Sequence, residues 1–105
     1  MIGEALKGHL DLLLLSILAN GPAHGYAVIE SLRQRSSGKF DLPEGTIYPA
    51  LHRLEKQELL SSDWTEESGR RKRIYKLTSK GRQALGQRQQ EWRSFSEAIN
   101  ATVNI

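Results

Sequence analysis

A chain of 105 residues, 38% of them hydrophobic, holds enough apolar side chain for one compact domain with a single modest core and an appended element. Its net charge of +3 and pI near 9.5 permit nucleic acid or other acidic partners without demanding them, and the absence of cysteine excludes a disulfide framework and thiolate chemistry. The most apolar run, Leu12 to Ala19, is interrupted by Ser16 and is far shorter than the ~18 residues a membrane-spanning helix needs. Glu4 and Asp11 are wrong for the basic start of a signal peptide, so a cytoplasmic protein with no membrane segment is expected.

In chain order, residues 4–19 read as a first helix with Leu6, Leu10, Leu13, Leu14, Ile17 and Leu18 on one apolar face. Leu12 and Leu15 widen that face beyond a normal stripe, which calls for burial on two sides: against the core and against a second subunit, or wholly inside one domain. Gly21-Pro22 ends it. A second helix over 24–36 is expected to turn Tyr26, Val28, Ile29 and Leu32 inward, and Ser36-Ser37-Gly38 breaks it. Phe40 and Leu42 alternate about Asp41, which allows a very short strand, and a third helix follows from about Glu44 to Gln57. Ser61 to Thr65 suggests a strand, EESGRR a turn at 66–71 around Gly69, and KRIYKL a second strand with Arg73, Tyr75 and Leu77 on one side. Thr78 is placed to cap a last helix over 79–101. In that helix Leu85, Trp92 and Ile99 lie seven apart, with Phe95 beside them, as in a short heptad seam.

Three helices, a short strand before the third, a hairpin and a long final helix describe a winged helix-turn-helix, mainly α with a small β-hairpin. The expected division is a DNA-binding domain over residues 1–78 and a C-terminal dimerisation helix over 79–105. The hairpin then lies beside the third helix. From Ser68 to Gln90 there is no acid, so the positive charge is local.

Three consecutive stretches, LKGHLDLLLLSILANGPAHGYAVIESL, GTIYPALHRLEKQELL and EESGRRKRIYKLTSKGRQAL, resemble the PadR-like transcriptional regulators in their short form. The resemblance covers roughly residues 5 to 86 without a gap. It implies a dimeric, DNA-binding repressor, often released by a small molecule. Composition and periodicity show only the architecture and the charge.

On the third helix, about 100° per residue puts Ile47, Leu51 and Leu54 toward the core and Gly45, Pro49, His52 and Lys56 opposite, flanked by Thr46, Tyr48 and Arg53. A recognition helix presents such donors to the major groove, where Arg and Lys meet guanine O6 and N7. Pro49 has no N–H for the Gly45 carbonyl, so a distorted first turn is expected, starting at Glu44 or nearer Thr46. The Tyr48 hydroxyl reaches a phosphate, or its ring packs on the hairpin; the first is favoured. Arg70, Arg71, Lys72 and Arg73 at the wing suit phosphate or minor-groove contact, against the blander readings of a solubilising charged turn or a nuclear-localisation run. Tyr26 is expected in the core, with a phosphate contact as its other role.

Leu12, Leu15, Leu85, Trp92, Phe95 and Ile99 are the expected dimer interface. Trp92 and Phe95 either pack there or line a pocket for a small planar effector. His9, His24 and His52 have no ligand spacing with one another, so no metal or other cofactor is expected. No catalytic constellation is visible, so no enzyme is expected. The alternative function is a winged-helix protein-interaction module without DNA binding.

Overall fold

The computed structural model of the chain describes residues 4, 6 and 8–104. Glu4 and Leu6 are helical, but Gly8 and His9 form a turn, and α1 runs only over Leu10–Leu18. The expected continuous helix from residue 4 is therefore interrupted. Glycine is a poor helix former, and His9 takes a non-helical φ of −122° while its N–H bonds back to Leu6 O at 2.8 Å.

α1 is the central helix, packed on each of the later helices and on the sheet. Leu14, Leu15 and Leu18 are all at most 1% exposed, while Leu12 and Leu13 are half-buried on the flank. Leu15 is thus core of its own chain and is withdrawn from the expected dimer surface. Leu85 is withdrawn for the same reason, since it closes the core from the final helix.

Ala23–His24 forms β1, and α2 follows directly over Gly25–Arg35. The His24 ring caps α2, its Nδ1 accepting from Ala27 N–H at 3.2 Å. Gly25, Val28, Ile29 and Leu32 are the buried stripe of α2. This spacing of i, i+3, i+4 and i+7 leaves Tyr26 on the outer stripe with Glu30 and Arg33. Tyr26 is 57% exposed, contrary to the expectation of a core tyrosine.

No strand forms at 40–42. The sheet order is β1-β3-β2, so β3 (Arg70–Leu77) is paired on one edge by β2 (Leu60–Glu67) and on the other by Ala23 and His24. Neither edge of β3 is left for Phe40 and Leu42, which instead pack as irregular chain against the core.

α3 spans Glu44–Lys56, with Pro43 as N-cap, which settles its start. Pro43 O accepts from both Thr46 N–H (3.0 Å) and Ile47 N–H (3.1 Å), a tightened first turn ahead of Pro49. Ile47, Ala50, Leu51 and Leu54 are buried. Past the end of α3, Glu58 adopts φ 66° and Leu59 N–H bonds Leu54 O at 3.0 Å, which swings Leu59 and Leu60 into the core. The β2–β3 loop is only Ser68-Gly69, both at positive φ (52° and 76°), as a twist-matched two-residue hairpin needs. The strands are correspondingly longer than the alternation suggested, and buried Tyr75 and Leu77 do share a face.

Thr78 caps α4 (Ser79–Val103): its Oγ1 accepts from Gly81 N–H at 2.9 Å and donates to Glu58 O at 2.6 Å. Gly81 sits so close to Leu59 O that a Cβ there has no room. After Leu85 the helix continues past α1, where Arg88 approaches Asp11 at 3.8 Å and the Trp92 ring meets His9. Its 25 residues span about 37 Å at ~1.5 Å per residue.

Candidate nucleic-acid interface

Burial of Ile47, Leu51 and Leu54 turns Gly45, Pro49, His52 and Lys56 outward, all four exposed, with Thr46 exposed beside them. This outer surface is continuous with a groove of about 590 Å³ between α3, the start of α2 and the wing. Tyr48 and His52 line it from α3, Tyr26 from α2, and Arg70 to Arg73 from β3. The structure therefore brings seven of the expected DNA-facing side chains to one groove, while Gly45, Thr46, Pro49 and Lys56 lie on the outer face of α3 beyond it.

Tyr48 is held by a close approach. A Cβ added to Gly25 would stand 2.5 Å from the Tyr48 ring, so the phenolic end of the ring lies against the first residue of α2. Burial, and then the nearby Glu44 carboxylate, raise the Tyr48 pKa above the ordinary tyrosine value. The phenol stays protonated at neutral pH and is a hydroxyl donor at the groove's edge. Of the two sequence readings, ring packing is met by α2 rather than by the hairpin. Tyr75, at the groove floor, is also raised, first by burial, with Arg73 opposing.

Arg53 does not join this surface. Its guanidinium makes two hydrogen bonds to the Asp11 carboxylate on α1, at 2.6 and 2.9 Å, and Arg88 of α4 approaches the same carboxylate at 3.8 Å. The Asp11 bond raises the Arg53 pKa further. With about half of the Arg53 side chain exposed, the pair contributes at most about 1 kcal/mol. Its consequence is positional: the expected base-reading donor is engaged across two helices.

The wing is less positive than its sequence run suggests. The hairpin register sets Arg71 opposite Glu66 and Arg70 opposite Glu67, and Lys72 approaches Glu67 at 3.9 Å. Arg73 is tied inward, donating from Nε to Ser62 Oγ at 2.8 Å and lying 3.7 Å from Glu55 of α3. These links fix the wing's inclination to α3.

Sequence reasoning gave no site role to Trp64, Gly25 or His24. Trp64 was detectable: once the hairpin is centred on Ser68-Gly69, it falls directly across from Arg73. The Gly25–Tyr48 contact joins separate helices and leaves no local signal.

At the other end of the molecule Trp92, Phe95, Ile99 and Val103 form an exposed stripe on α4, spaced i, i+3, i+7 and i+11. The His9 ring stands edge-on to Trp92, centroids 5.0 Å apart. Cavities of about 630 and 230 Å³ flank Trp92, and Leu12 lines both. Among the described residues no cluster of three or more metal-ligating side chains occurs, and no helix is long and apolar enough to cross a membrane.

A transcriptional regulator from Clostridium thermocellum superposes with a TM-score of 0.86 at 30% identity, covering 93% of this chain and 96% of that one. A PadR family transcription regulator from Clostridium difficile gives a TM-score of 0.81 at 35% identity, covering 90% and 98%. Transcriptional regulator YqjI of Escherichia coli is 34% identical over 94 residues, 90% of this chain but 44% of YqjI, so the chain spans less than half of that relative. The family described as the transcriptional regulator PadR-like family matches residues 14–87. With the winged-helix fold, the α3 face and the wing in place, the chain belongs to the PadR-like family of transcriptional regulators.

Proposed function

We propose that this regulator is a homodimeric repressor that lays two copies of α3 into successive major grooves, with the wings on the flanking backbone. The observation that carries the reading is the pairing of two surfaces at opposite ends of the fold. One is the polar α3 face with its groove, and the other is the aromatic stripe of α4, left uncovered within one chain. Large aromatics at helical spacing bury area efficiently against a second copy. Leu12, half-buried beside Trp92, belongs to the same surface. A two-fold dimer reads half-sites about one helical turn apart, and a dimer over a promoter excludes polymerase sterically.

Gly45, Thr46, His52 and Lys56 are the base-facing set. Tyr48, Tyr26 and Arg70 to Lys72 contact phosphate, and Arg73 braces the wing. A small planar effector fits between subunits against Trp92 and Phe95, where it would favour a dimer whose half-site spacing is wrong. The cytoplasm is the setting for this work.

A gel shift on the DNA upstream of the protein's own gene, with sedimentation of the free protein, tests the reading. A dimer that shifts the fragment with a steep salt dependence supports it, with a log–log slope of about −0.9 per phosphate contact. A monomer, or binding unchanged when Arg70, Arg71 and Lys72 are all replaced by Ala, overturns it. Trp92 fluorescence that no planar ligand alters removes the effector step alone.

A further inference from the structure

Trp64 is large, aromatic and 54% exposed on a short hairpin. It shares one face of the wing with Ser62 and Glu66 on β2 and with Arg71, Arg73 and Tyr75 on β3. Two guanidiniums lie over its ring: Arg71 Cζ at 4.6 Å from the centroid and Arg73 Cζ at 5.2 Å. The two arginines are held differently. Arg73 also has Ser62 and Glu55, so its direction is settled without the indole. Arg71 has no ion pair or hydrogen bond from its side chain among the described residues, although Glu66 stands opposite in the register. The Trp64 ring is the partner its guanidinium does have among the described residues.

Stacking by the flat face leaves the edge of a guanidinium unspent. A carboxylate partner takes the N–H fork that a phosphate would need, whereas an aromatic face takes none of the five N–H donors. We infer that Trp64 is a positioning residue for DNA binding: its indole holds the Arg71 guanidinium along the groove between wing and α3, with its N–H edge turned to a backbone phosphate. Arg71 is then the wing's working phosphate contact, Arg73 its brace, and Glu66 is kept from capturing the fork. The inference rests on the DNA-binding reading above.

The test uses a duplex selected from a random pool by the wild-type protein, titrated over a range of salt. Trp64→Leu keeps apolar bulk without a π face and is expected to weaken binding about fivefold per wing, while Trp64→Phe retains most of the affinity. Arg71→Ala is expected to weaken binding at least as much and to flatten the log–log salt slope by about 0.9 per wing. Adding Trp64→Leu to Arg71→Ala should cost nothing more, because the indole acts through that arginine. Losses that multiply, or wild-type affinity in Trp64→Leu, overturn the inference while leaving DNA binding intact. So does binding that follows each variant's Tm rather than the presence of an aromatic ring. A wild-type protein that enriches no duplex overturns the DNA-binding reading and this inference with it.

Discussion

The two ends of α4 are one continuous helix in opposite circumstances. At its start, the Thr78 cap, the close seat of Gly81 on Leu59 O and the buried Leu85 tie it to α3, β2 and the core. Beyond Arg88 every contact is lateral and partial, and Trp92, Phe95, Ile99 and Val103 remain 42–53% exposed. Local propensity makes both ends helical; the first is locked by buried contacts, whereas the second has only half-exposed ones such as Trp92 on His9. In the proposed dimer, folding and assembly are therefore separable along a single element, and substitutions at the two ends should fail differently.

The largest expected effect is at the locked end. Gly81→Ala drives a Cβ into a backbone carbonyl that cannot give way, and should destabilise the fold by about 3 kcal/mol or more in denaturant unfolding. Leu85→Ala, which empties core volume, should cost about 2–4 kcal/mol. Its counterpart fourteen residues on, Ile99→Asp, should leave the unfolding of the single chain within about 0.5 kcal/mol yet abolish association in sedimentation. Equal losses of folding at both sites would break the distinction. Thr78→Ala should cost about 1 kcal/mol, with association unchanged.

The smallest effect is with pH. Tyr48 and Tyr75 both have pKa values raised in the folded state, so the fold holds their protons more tightly than the unfolded chain does. Their contribution is complete below the ordinary tyrosine pKa of about 10 and is lost as pH rises past it. Tm should fall more gently with alkaline pH in Tyr48→Phe than in the wild type. The α4 stripe contains no tyrosine, so this loss should appear in unfolding and not in association.

How much could be read from the residues follows from how local each cause is. The hairpin was legible because alternation and a Gly-containing turn act over neighbouring positions, and the helix boundaries because Pro22, Ser37 and Thr78 act on the next turn of chain. Leu15 was misplaced because a helix apolar nearly all round has no phase of its own; the packing of α1 supplies it. Tyr26 was misplaced because the inward stripe of α2 is Gly25, Val28, Ile29 and Leu32, and a glycine at its head carries no apolar signal that would set the phase. The strand at 40–42 failed because Ala23 and His24 take the sheet edge, a competition between segments far apart. The engagement of Arg53 by Asp11 was not legible because that partner stands 42 positions away. The groove was legible in its bases and not in its glycine, since Gly25 matters only through Tyr48.

The Asp11 clamp on Arg53 bears on discrimination between DNA sequences. A guanidinium free to swing toward any phosphate strengthens attraction to all DNA alike, including the vast excess of wrong sites in a genome. Held by two hydrogen bonds to α1, that charge is compensated inside the protein, and the proposed base-facing set on α3 is left as Thr46, His52 and Lys56. On the proposed DNA-binding reading, lowering general attraction in this way would enlarge the ratio between right and wrong sites, so Asp11→Ala is expected to raise binding to random duplex by a few-fold at most in a filter-binding titration.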